Sequence, residues 1–377
     1  MVECHLSAGT RAERSVKILL LNWKDLAHGE RGGAEVYTDA VTREWVRAGH
    51  EVTWFCGAVP GRPVDEMIDG VRHVRRGSRL SVYPQARRFW KSEGRRNYDL
   101  VVDQVNTRPF LTPDYARDVQ LLCIAFQVCR EIWWTESPWP VALVGRFWLE
   151  RRWLTRYANV PTATISTSSA ASLQQYGLRD VSVVPIGAEP RSRPADTPRE
   201  PQPTIIFVGR LSPSKRVDHV VEAFRAVRGA LPDAALWIVG EGPELKRLER
   251  AAGPGVTLWG HVTTEERDLL MARAHVLVMT SVREGWGLVV DEAAWMGTPT
   301  LAYDVAGLRD SVPAAGGRLT TPTPTRLGAA LLEWLPALTE APAEQGRAGG
   351  TWPWADVAAE LLKVAAGERS VNRSLAE

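Results

Sequence analysis

Short apolar runs alternate with longer amphipathic stretches along most of this chain. In the first half, the runs fall at residues 17–21, 51–55, 100–103, 120–126, 163–166 and 181–185. Helical periodicity fits residues 35–48, 141–157 and 169–176. Strand-sized runs separated by helix-sized stretches are typical of parallel strands joined by crossover helices. The alternation predicts an α/β fold.

A proline-rich stretch interrupts this pattern at residues 189–203. It carries five prolines, EPRSRPADTPREPQP, and no apolar periodicity, so neither helix nor strand is expected to continue through it. Strand-like runs then return in the second half, at residues 204–208, 236–239, 256–259, 276–279 and 300–303. We therefore predict two facing Rossmann-like domains with the active site in the cleft between them.

The length of 377 residues fits two domains better than one. The predicted parts are an N-terminal extension (1–16), an N-terminal Rossmann-like domain (17–188), the linker (189–203), a C-terminal Rossmann-like domain (204–350) and a C-terminal segment (351–377).

Charge and cysteine content exclude several classes of function. Lys and Arg number 46 against 44 Asp and Glu, a balance that does not fit a nucleic-acid-binding protein. Cys4, Cys56, Cys123 and Cys129 form no C-x-x-C pair, so we expect reduced thiols and a cytoplasmic location. No signal-peptide-like apolar segment starts the chain, and the longest apolar stretch, near 119–129, is too short to span a bilayer.

The most informative motif is S-V-R-E-G-W-G-L-V-V-D-E at residues 281–292. A strand ends at a glycine-rich turn and a helix begins near Leu288, an arrangement whose free amides and positive dipole suit a phosphate. Glu284 and Glu292 are separated by seven residues, and carboxylates of this kind accept hydrogen bonds from sugar or ribose hydroxyls. The residues predicted to contact a ligand that carries phosphate and sugar groups are Glu284, Gly285, Trp286, Gly287, Leu288 and Glu292.

Three further segments follow predicted strands. F-V-G-R-L-S-P-S-K presents Arg210 and Lys215 after Gly209, and two cations are suited to neutralising a diphosphate leaving group. G-E-R-G-G-A-E at 29–35 lacks the G-x-G-x-x-G spacing, so a tight turn that brings the Gly33 amide to the cleft is favoured over a dinucleotide site. Main-chain groups of His261 and Val262 are candidates for pairing with a base, the alternative being a plain turn.

No histidine shows the spacing of metal ligands, so no metal site is predicted. A dehydrogenase would require a dinucleotide fingerprint, which the chain lacks.

Taken in order, these motifs resemble the retaining family 4 glycosyltransferases, the glycogen-synthase-like group that includes phosphatidylinositol mannosyltransferases and sucrose synthases. The resemblance rests on G-G-A-E, S-T-S-S-A-A-S-L with P-I-G, V-G-R-L-S-P-S-K, G-E-G-P-E, G-H-V, E-G-W-G-L-V-V-D-E-A and G-T-P. It extends over nearly the whole chain after Lys17.

The resemblance implies the B-type glycosyltransferase fold, a retaining and metal-independent hexosyltransferase, and a UDP or GDP sugar as donor, with no cofactor. Glu284 would contact the sugar hydroxyls, Glu292 would hold the ribose, and Arg210 and Lys215 would bind the diphosphate. The amides of Gly287 and Leu288 would assist, and Gly33 would lie nearby. The domain at 17–188 would bind the acceptor and the domain at 204–350 the nucleotide sugar. A final helix from about Trp352 would cross back to the first domain.

Two positions depart from the family pattern. Phe126 stands where many relatives have a His that reaches the donor sugar, and Ile186 replaces the usual Asn of P-x-G. A nucleotide-sugar epimerase or a catalytically silent binding protein of the same fold therefore remains the alternative to a transferase.

The acceptor cannot be identified from sequence. A natural product, a polysaccharide or a lipid would fit, and we expect Asn106, Thr107 and the aromatic stretch after Phe126 to contribute its pocket. The basic run 72–96, with Tyr83, Phe89 and Trp90, is a candidate for peripheral contact with the inner face of the membrane, the alternative being a solvated basic face.

Overall fold

Two parallel sheets, each flanked by helices, form the protein. The computed structural model describes residues 15–29, 32–342 and 351–368. Cys4, most of the predicted N-terminal extension and part of the 29–35 turn lie outside the described residues. The two predicted doubly wound sheets are confirmed.

The first sheet has the strand order β3-β4-β2-β1-β5-β6-β7-β8, and only β3 runs antiparallel to its neighbour. Its strands are β1 (Lys17–Leu21), β2 (Glu51–Cys56), β3 (Asp65–Ile68), β4 (Val71–Arg75), β5 (Leu100–Val105), β6 (Gln120–Ala125), β7 (Thr162–Thr164) and β8 (Val181–Val183). Its helices are α1 (Gly33–Arg47), α2 (Val82–Phe89), α3 (Ile132–Glu136), α4 (Trp139–Val144), α5 (Glu150–Leu154) and α6 (Thr167–Gln174).

The second sheet is parallel throughout, with the order β11-β10-β9-β12-β13-β14. Its strands are β9 (Thr204–Val208), β10 (Ala235–Val239), β11 (Val256–Gly260), β12 (Val276–Met279), β13 (Thr300–Tyr303) and β14 (Arg318–Thr320). The helices are α7 (Val217–Ala230), α8 (Leu245–Ala251), α9 (Thr264–Arg273), α10 (Leu288–Trp295), α11 (Leu308–Ala314), α12 (Pro324–Glu340) and α13 (Trp354–Ala365).

The strand order reverses beside β1 in the first sheet and beside β9 in the second. In open α/β sheets, ligands bind at such reversal points, outside the carboxyl ends of the strands. The loops after β1, β5, β9 and β12 are therefore the ones that the fold places at a ligand site.

Some predicted elements differ from the structure. The single helix predicted at 141–157 begins at Trp139 and is interrupted by a π-helical turn at Gly145–Leu149. Strands β3 and β4 were not predicted, because β4 carries Arg72, His73 and Arg75 rather than an apolar run. Arg75 is nevertheless buried, and its Nε donates to Asp25 Oδ2 at 2.7 Å, which a sequence pattern cannot reveal.

The proline-rich segment contains no helix or strand, as predicted, but it is bound to the second domain. Arg191 forms ion pairs with Asp268 at 2.9 Å and with Glu292 at 3.0 Å. Arg193 donates to a carbonyl of the second domain as well. These contacts fix the proline-rich segment against the second domain.

Helix α13 packs against α1, which returns the chain to the first domain. Trp45 Nε1 donates to the Ala358 carbonyl at 2.9 Å, and Val357 and Leu361 belong to the first domain's core. A Cβ at Gly187 would lie 2.1 Å from the Trp354 ring, so the glycine of P-I-G leaves room for this ring where α13 begins.

The surface predicted as a basic and aromatic membrane contact is not aromatic. Phe89 and Trp90 are buried in the first domain, so that part of the prediction is wrong. Arg87, Arg88 and Lys91 remain exposed. Among the described residues, no helix combines the length and apolar character needed to cross a membrane.

The three described cysteines, Cys56, Cys123 and Cys129, are free thiols buried in the first domain. Burial raises the pKa of each, to about 12 for Cys129, so none is activated as a nucleophile.

Candidate functional site

A cavity of about 360 Å³ lies between the two domains, at the carboxyl ends of both sheets. The first domain contributes residues that follow β1, β5 and β6, and the second contributes residues that follow β9 and β12. The predicted site residues among its lining are Gly33, Asn106, Phe126, Gly209, Lys215, Glu284, Gly285, Trp286, Gly287 and Leu288. Both halves of the site thus face one space.

Lys215 and Glu284 form an ion pair in this cavity. Glu284 Oε1 also accepts a hydrogen bond from Ser281 Oγ at 2.7 Å, which fixes the carboxylate. Both side chains are mostly buried, with 25% of Lys215 and 13% of Glu284 exposed. The pair places a cation and an acceptor of hydroxyl hydrogen bonds side by side beside the start of α10.

The turn between Glu284 and α10 requires glycines. Gly287 precedes α10 with a φ of 91°, in the left-handed region that favours glycine. Gly307 has a φ of 86°, and a Cβ there would lie 2.3 Å from the Glu284 carbonyl oxygen. The Glu284 amide donates to the Ala306 carbonyl at 3.0 Å. Close backbone packing therefore determines where Glu284 lies.

Phe126 follows β6 directly and lines the cleft. Its ring contacts Tyr37 edge to face, with centroids 4.9 Å apart, and its carbonyl oxygen accepts from Ser169 Oγ at 2.8 Å. A Cβ on Gly285 of the opposite domain would lie 3.0 Å from the same oxygen. Phe126 therefore presents an apolar ring to the cavity, close to the glycine turn.

Two first-domain residues complete this side of the cavity. Gly33 begins α1, and a Cβ there would lie 3.8 Å from the Leu288 side chain, which brings the starts of α1 and α10 close together. Asn106, which we predicted for the acceptor pocket, donates through Nδ2 to Asn22 Oδ1 at 2.9 Å. Thr107 is exposed and does not line the cavity.

Four of the residues predicted to bind the donor also lie outside the cavity lining. Arg210, His261 and Val262 are not part of it, and Arg210 and His261 are exposed. Glu292 Oε1 contacts the guanidinium groups of Arg191 at 3.0 Å and Arg267 at 3.1 Å. The structure therefore shows Glu292 in an ion-pair cluster with the linker, a contact that sequence reasoning missed because its partner is about a hundred residues away.

A second missed feature lies beneath the turn. The buried Trp286 indole donates through Nε1 to Asp291 Oδ2 at 2.6 Å, and the Trp286 carbonyl accepts from Ser311 Oγ at 2.6 Å. Burial raises the pKa of the Asp291 carboxyl to about 7, and the charge of Glu292 contributes to the rise. A buried indole requires an acceptor, and this was the signal that could have identified Asp291.

Asp291 makes the stability of the fold depend on pH. In the unfolded chain its carboxyl ionises near its ordinary pKa of 3.8, whereas in the folded chain it retains its proton up to about pH 7. Its contribution to stability is therefore complete below pH 3.8 and is lost as the pH rises to about 7. We expect the free energy of unfolding of Asp291→Asn, relative to that of the parent protein, to increase between pH 5 and pH 8.

Urea denaturation at several pH values across that interval measures this difference. Asp233→Asn, at an exposed position, is the matched control and should show no pH-dependent difference. Parallel pH curves for Asp291→Asn and the parent protein would contradict the assignment.

A hydrogen-bonded bridge joins the two domains behind Glu284. Ser168, at the start of α6, accepts through Oγ from the Gly307 amide at 2.8 Å and donates to Asp310 of α11. Arg283 Nε donates across the cleft to Glu131 at 2.8 Å. These contacts hold the first domain against the loop that carries Glu284.

In the described part of the chain, no group of three or more His, Cys, Asp or Glu side chains is arranged to bind a metal ion. Among the described residues that line the cavity, the cationic side chain is that of Lys215.

Comparison with known families identifies the chain. Residues 31–191 match the family model described as Glycosyltransferase Family 4, and residues 202–336 match the model described as Glycosyl transferases group 1. Both models describe glycosyltransferases, and together they match most of the chain. The two models meet at the proline-rich segment, so each corresponds to one domain of the chain.

Similar curated proteins include a glucosyltransferase and a mannosyltransferase. Identity is 33% to a 2-deoxystreptamine glucosyltransferase from Streptomyces kanamyceticus, over 44% of this chain and 47% of the relative. Identity is 30% to a GDP-mannose-dependent α-(1-6)-phosphatidylinositol dimannoside mannosyltransferase from Mycobacterium tuberculosis, over 42% of this chain and 45% of the relative. The matched regions therefore span less than half the length of these relatives.

Solved structures with the same fold cover nearly the whole chain. Sucrose-phosphate synthase from Thermosynechococcus elongatus has a TM-score of 0.67 at 19% identity, covering 94% of this chain and 97% of that chain. WaaG, a glycosyltransferase involved in lipopolysaccharide biosynthesis, has a TM-score of 0.67 at 17% identity, covering 93% and 98%. At these identities the similarity concerns the fold, and it confirms the predicted B-type glycosyltransferase architecture.

Proposed function

We propose that this protein is a retaining, metal-independent hexosyltransferase that moves a sugar from a UDP or GDP sugar to an acceptor hydroxyl. The donor is a substrate, and no cofactor takes part. The observation that carries the proposal is the Lys215–Glu284 pair, which lies in the interdomain cavity next to the glycine turn that opens α10.

This arrangement suits a diphosphate next to a sugar. The first amides of α10, at Gly287 and Leu288, supply hydrogen-bond donors and the positive end of the helix dipole for the phosphates. Lys215 adds a positive charge, and its attraction to the diphosphate strengthens as that leaving group becomes more negative. Glu284 accepts hydrogen bonds from sugar hydroxyls and keeps Lys215 oriented in the absence of donor.

In the proposed reaction, the bond between the anomeric carbon and the diphosphate oxygen breaks while the acceptor oxygen bonds to the same face of that carbon. The acceptor proton passes to the departing diphosphate, so no protein carboxylate acts as nucleophile. The Phe126 carbonyl oxygen, oriented by Ser169, retains a second lone pair that can face positive charge developing on the sugar.

The named relatives support a nucleotide-sugar donor without determining the base. One is called GDP-mannose-dependent, and a structural neighbour, HepE from Anabaena, contains UDP-glucose, at 18% identity and a TM-score of 0.61. Neither Glu292 nor the His261–Val262 turn lines the cavity, so we assign them to the ribose and base sites by family resemblance alone. The acceptor, a natural product, polysaccharide or lipid, would enter from the first-domain side near Asn106.

Donor identity is the most direct test. Thermal shift with a panel of nucleotide sugars should show stabilisation by one nucleotide series, since a ligand that binds only the folded state raises the melting temperature. The stabilising donor should be hydrolysed slowly to free sugar and nucleoside diphosphate, with undiminished rate in a chelator such as EDTA. Loss of this turnover in EDTA would contradict the metal-independent mechanism.

Binding of a donor without any turnover would favour the silent-protein alternative. No observation on the described residues favours an epimerase, and neither of the two named relatives is one. Product analysis of the same incubations would detect an epimerised sugar still attached to its nucleotide.

A further inference from the structure

A cluster of exposed apolar side chains lies on the first domain, on the helical segment that follows Phe126. Among the described residues, seven of the thirteen exposed large apolar side chains fall within 134–148. The most exposed are Trp139 (74%), Phe147 (62%), Trp148 (58%) and Val141 (50%). We call the exposed side chains of this segment the aromatic surface. Such a concentration of apolar groups indicates a contact surface.

The segment that carries the aromatic surface is fixed by contacts with the second domain and by packing within the segment. Glu131 accepts from Arg283, and the Ser214 amide donates to Glu136 Oε1 at 3.1 Å. Trp133 packs so closely on Gly145 that a Cβ there would lie 2.5 Å from its ring. The segment is therefore ordered, and its exposed apolar side chains lie outside the core of the first domain.

The charges around the aromatic surface are unequal. Arg151 and Arg152 are exposed, and the Arg152 guanidinium lies 5.4 Å from the centre of the Trp148 ring. The segment's carboxylates bind protein groups instead: Glu131 and Glu136 contact the second domain, and Glu150 is buried with its oxygens bonded to the Cys129 and Arg130 amides. Glu131 and Glu136 stay exposed at the start of the segment, so the cationic part of the rim is the end beside Trp148, where Arg151 and Arg152 lie.

We propose that the aromatic surface docks this protein on an anionic lipid bilayer. Tryptophan side chains are favoured at the boundary between headgroups and acyl chains, and neighbouring arginines gain from negative headgroups. A second copy of the chain would bring another cationic rim to the same surface, whereas an anionic bilayer neutralises it. The basic helix at Arg87, Arg88 and Lys91 offers no such apolar face, because its aromatic neighbours Phe89 and Trp90 are buried.

Docking here would place the cavity near the membrane. The segment starts beside Phe126 and Gln127, which line the cavity, and α3 packs against residues 213–215, the turn that ends at Lys215. Membrane binding itself does not depend on the proposed sugar transfer, so the two can be tested separately.

The experiment is cosedimentation of the full-length protein with vesicles of phosphatidylglycerol and phosphatidylcholine, or of phosphatidylcholine alone. We expect binding to the anionic vesicles, and about a tenfold or greater loss of partitioning for Trp139→Ser/Phe147→Ser/Trp148→Ser. Arg151→Gln/Arg152→Gln should weaken binding only where phosphatidylglycerol is present.

The matched control is Val64→Ser/Met67→Ser/Leu80→Ser, which removes equally exposed apolar groups from the part of the first domain that carries β3 and the loop after β4. It should partition like the parent protein, as should Arg87→Gln/Arg88→Gln/Lys91→Gln. Circular dichroism, melting temperature and donor-induced thermal shift verify that each variant is folded and retains its donor site.

Absence of binding to anionic vesicles would overturn the proposal, as would equal losses in the aromatic-surface variant and its control. Light scattering, which measures the oligomeric state in solution, distinguishes membrane docking from contact between two copies of the chain. A dimeric parent protein that becomes monomeric in the aromatic-surface variant, without vesicle binding, would assign the surface to contact between copies.

Discussion

Replacing Lys215 with alanine is expected to lower turnover at saturating donor by about 10²- to 10³-fold, the loss seen when one preorganised group that stabilises developing charge is removed. Lys215 lies in the cavity with most of its side chain shielded from water, so its charge is only weakly screened. Steady-state kinetics with the preferred donor measures the effect, which should appear in kcat more than in KM.

Two comparisons make the Lys215 result specific. Lys246→Ala removes an exposed lysine from α8 of the same domain and should leave turnover unchanged. Arg210→Ala should also lower turnover, but less, because Arg210 is exposed and lies outside the cavity lining. Near-normal turnover of a folded Lys215→Ala protein would show that the ion pair with Glu284 is structural.

Replacing Phe126 with histidine is expected to move donor preference toward an ordinary hexose by about 10- to 100-fold in the ratio of kcat/KM values, the worth of one buried hydrogen bond of about 1 to 3 kcal/mol. The ring of Phe126 borders the cavity and offers no hydrogen bond, so the parent protein should favour a donor that lacks, or does not use, the hydroxyl that a histidine would contact. The carbonyl of residue 126 is retained in the variant.

Competition between a nucleotide hexose and its deoxy analogues measures this ratio directly. Phe126→Leu is the matched control, since it keeps an apolar side chain and should keep the parent preference. If the His and Leu variants show the same ratio as the parent protein, Phe126 has no part in donor choice. If the parent protein turns over none of these donors, the silent-protein alternative gains support.

The fold and half of the candidate site could be read from local patterns. The predicted bounds of β1, β9, β12 and β13 coincide with the observed strands. Each is a short apolar run that can be recognised as a buried strand from its own residues alone. Glu284, Gly285 and Gly287 were found because glycines that permit a tight turn stand next to the acid. Phe126 was placed at the cleft by family resemblance, because many relatives have at this position a His that reaches the donor sugar.

Contacts between distant parts of the chain were not readable in this way. Glu292 belongs to the same motif as Glu284. Its carboxylate nevertheless pairs with Arg191 of the linker and Arg267 of α9. Asp291 looked like an ordinary helix residue, and only its burial beneath Trp286 raises its pKa to about 7.

The sequence by itself determined two doubly wound domains, a connection between them that is neither helix nor strand, and glycine turns that open helices at the cleft, since all of these follow from local periodicity and backbone geometry. Only the tertiary structure decided which side chains share a space and which face solvent. It buries Phe89 and Trp90 and leaves Trp139 and Trp148 exposed, although all four stand in similar helical patterns. The physical reason is that burial depends on which element packs over a helix face, and that partner is set by the path of the whole chain.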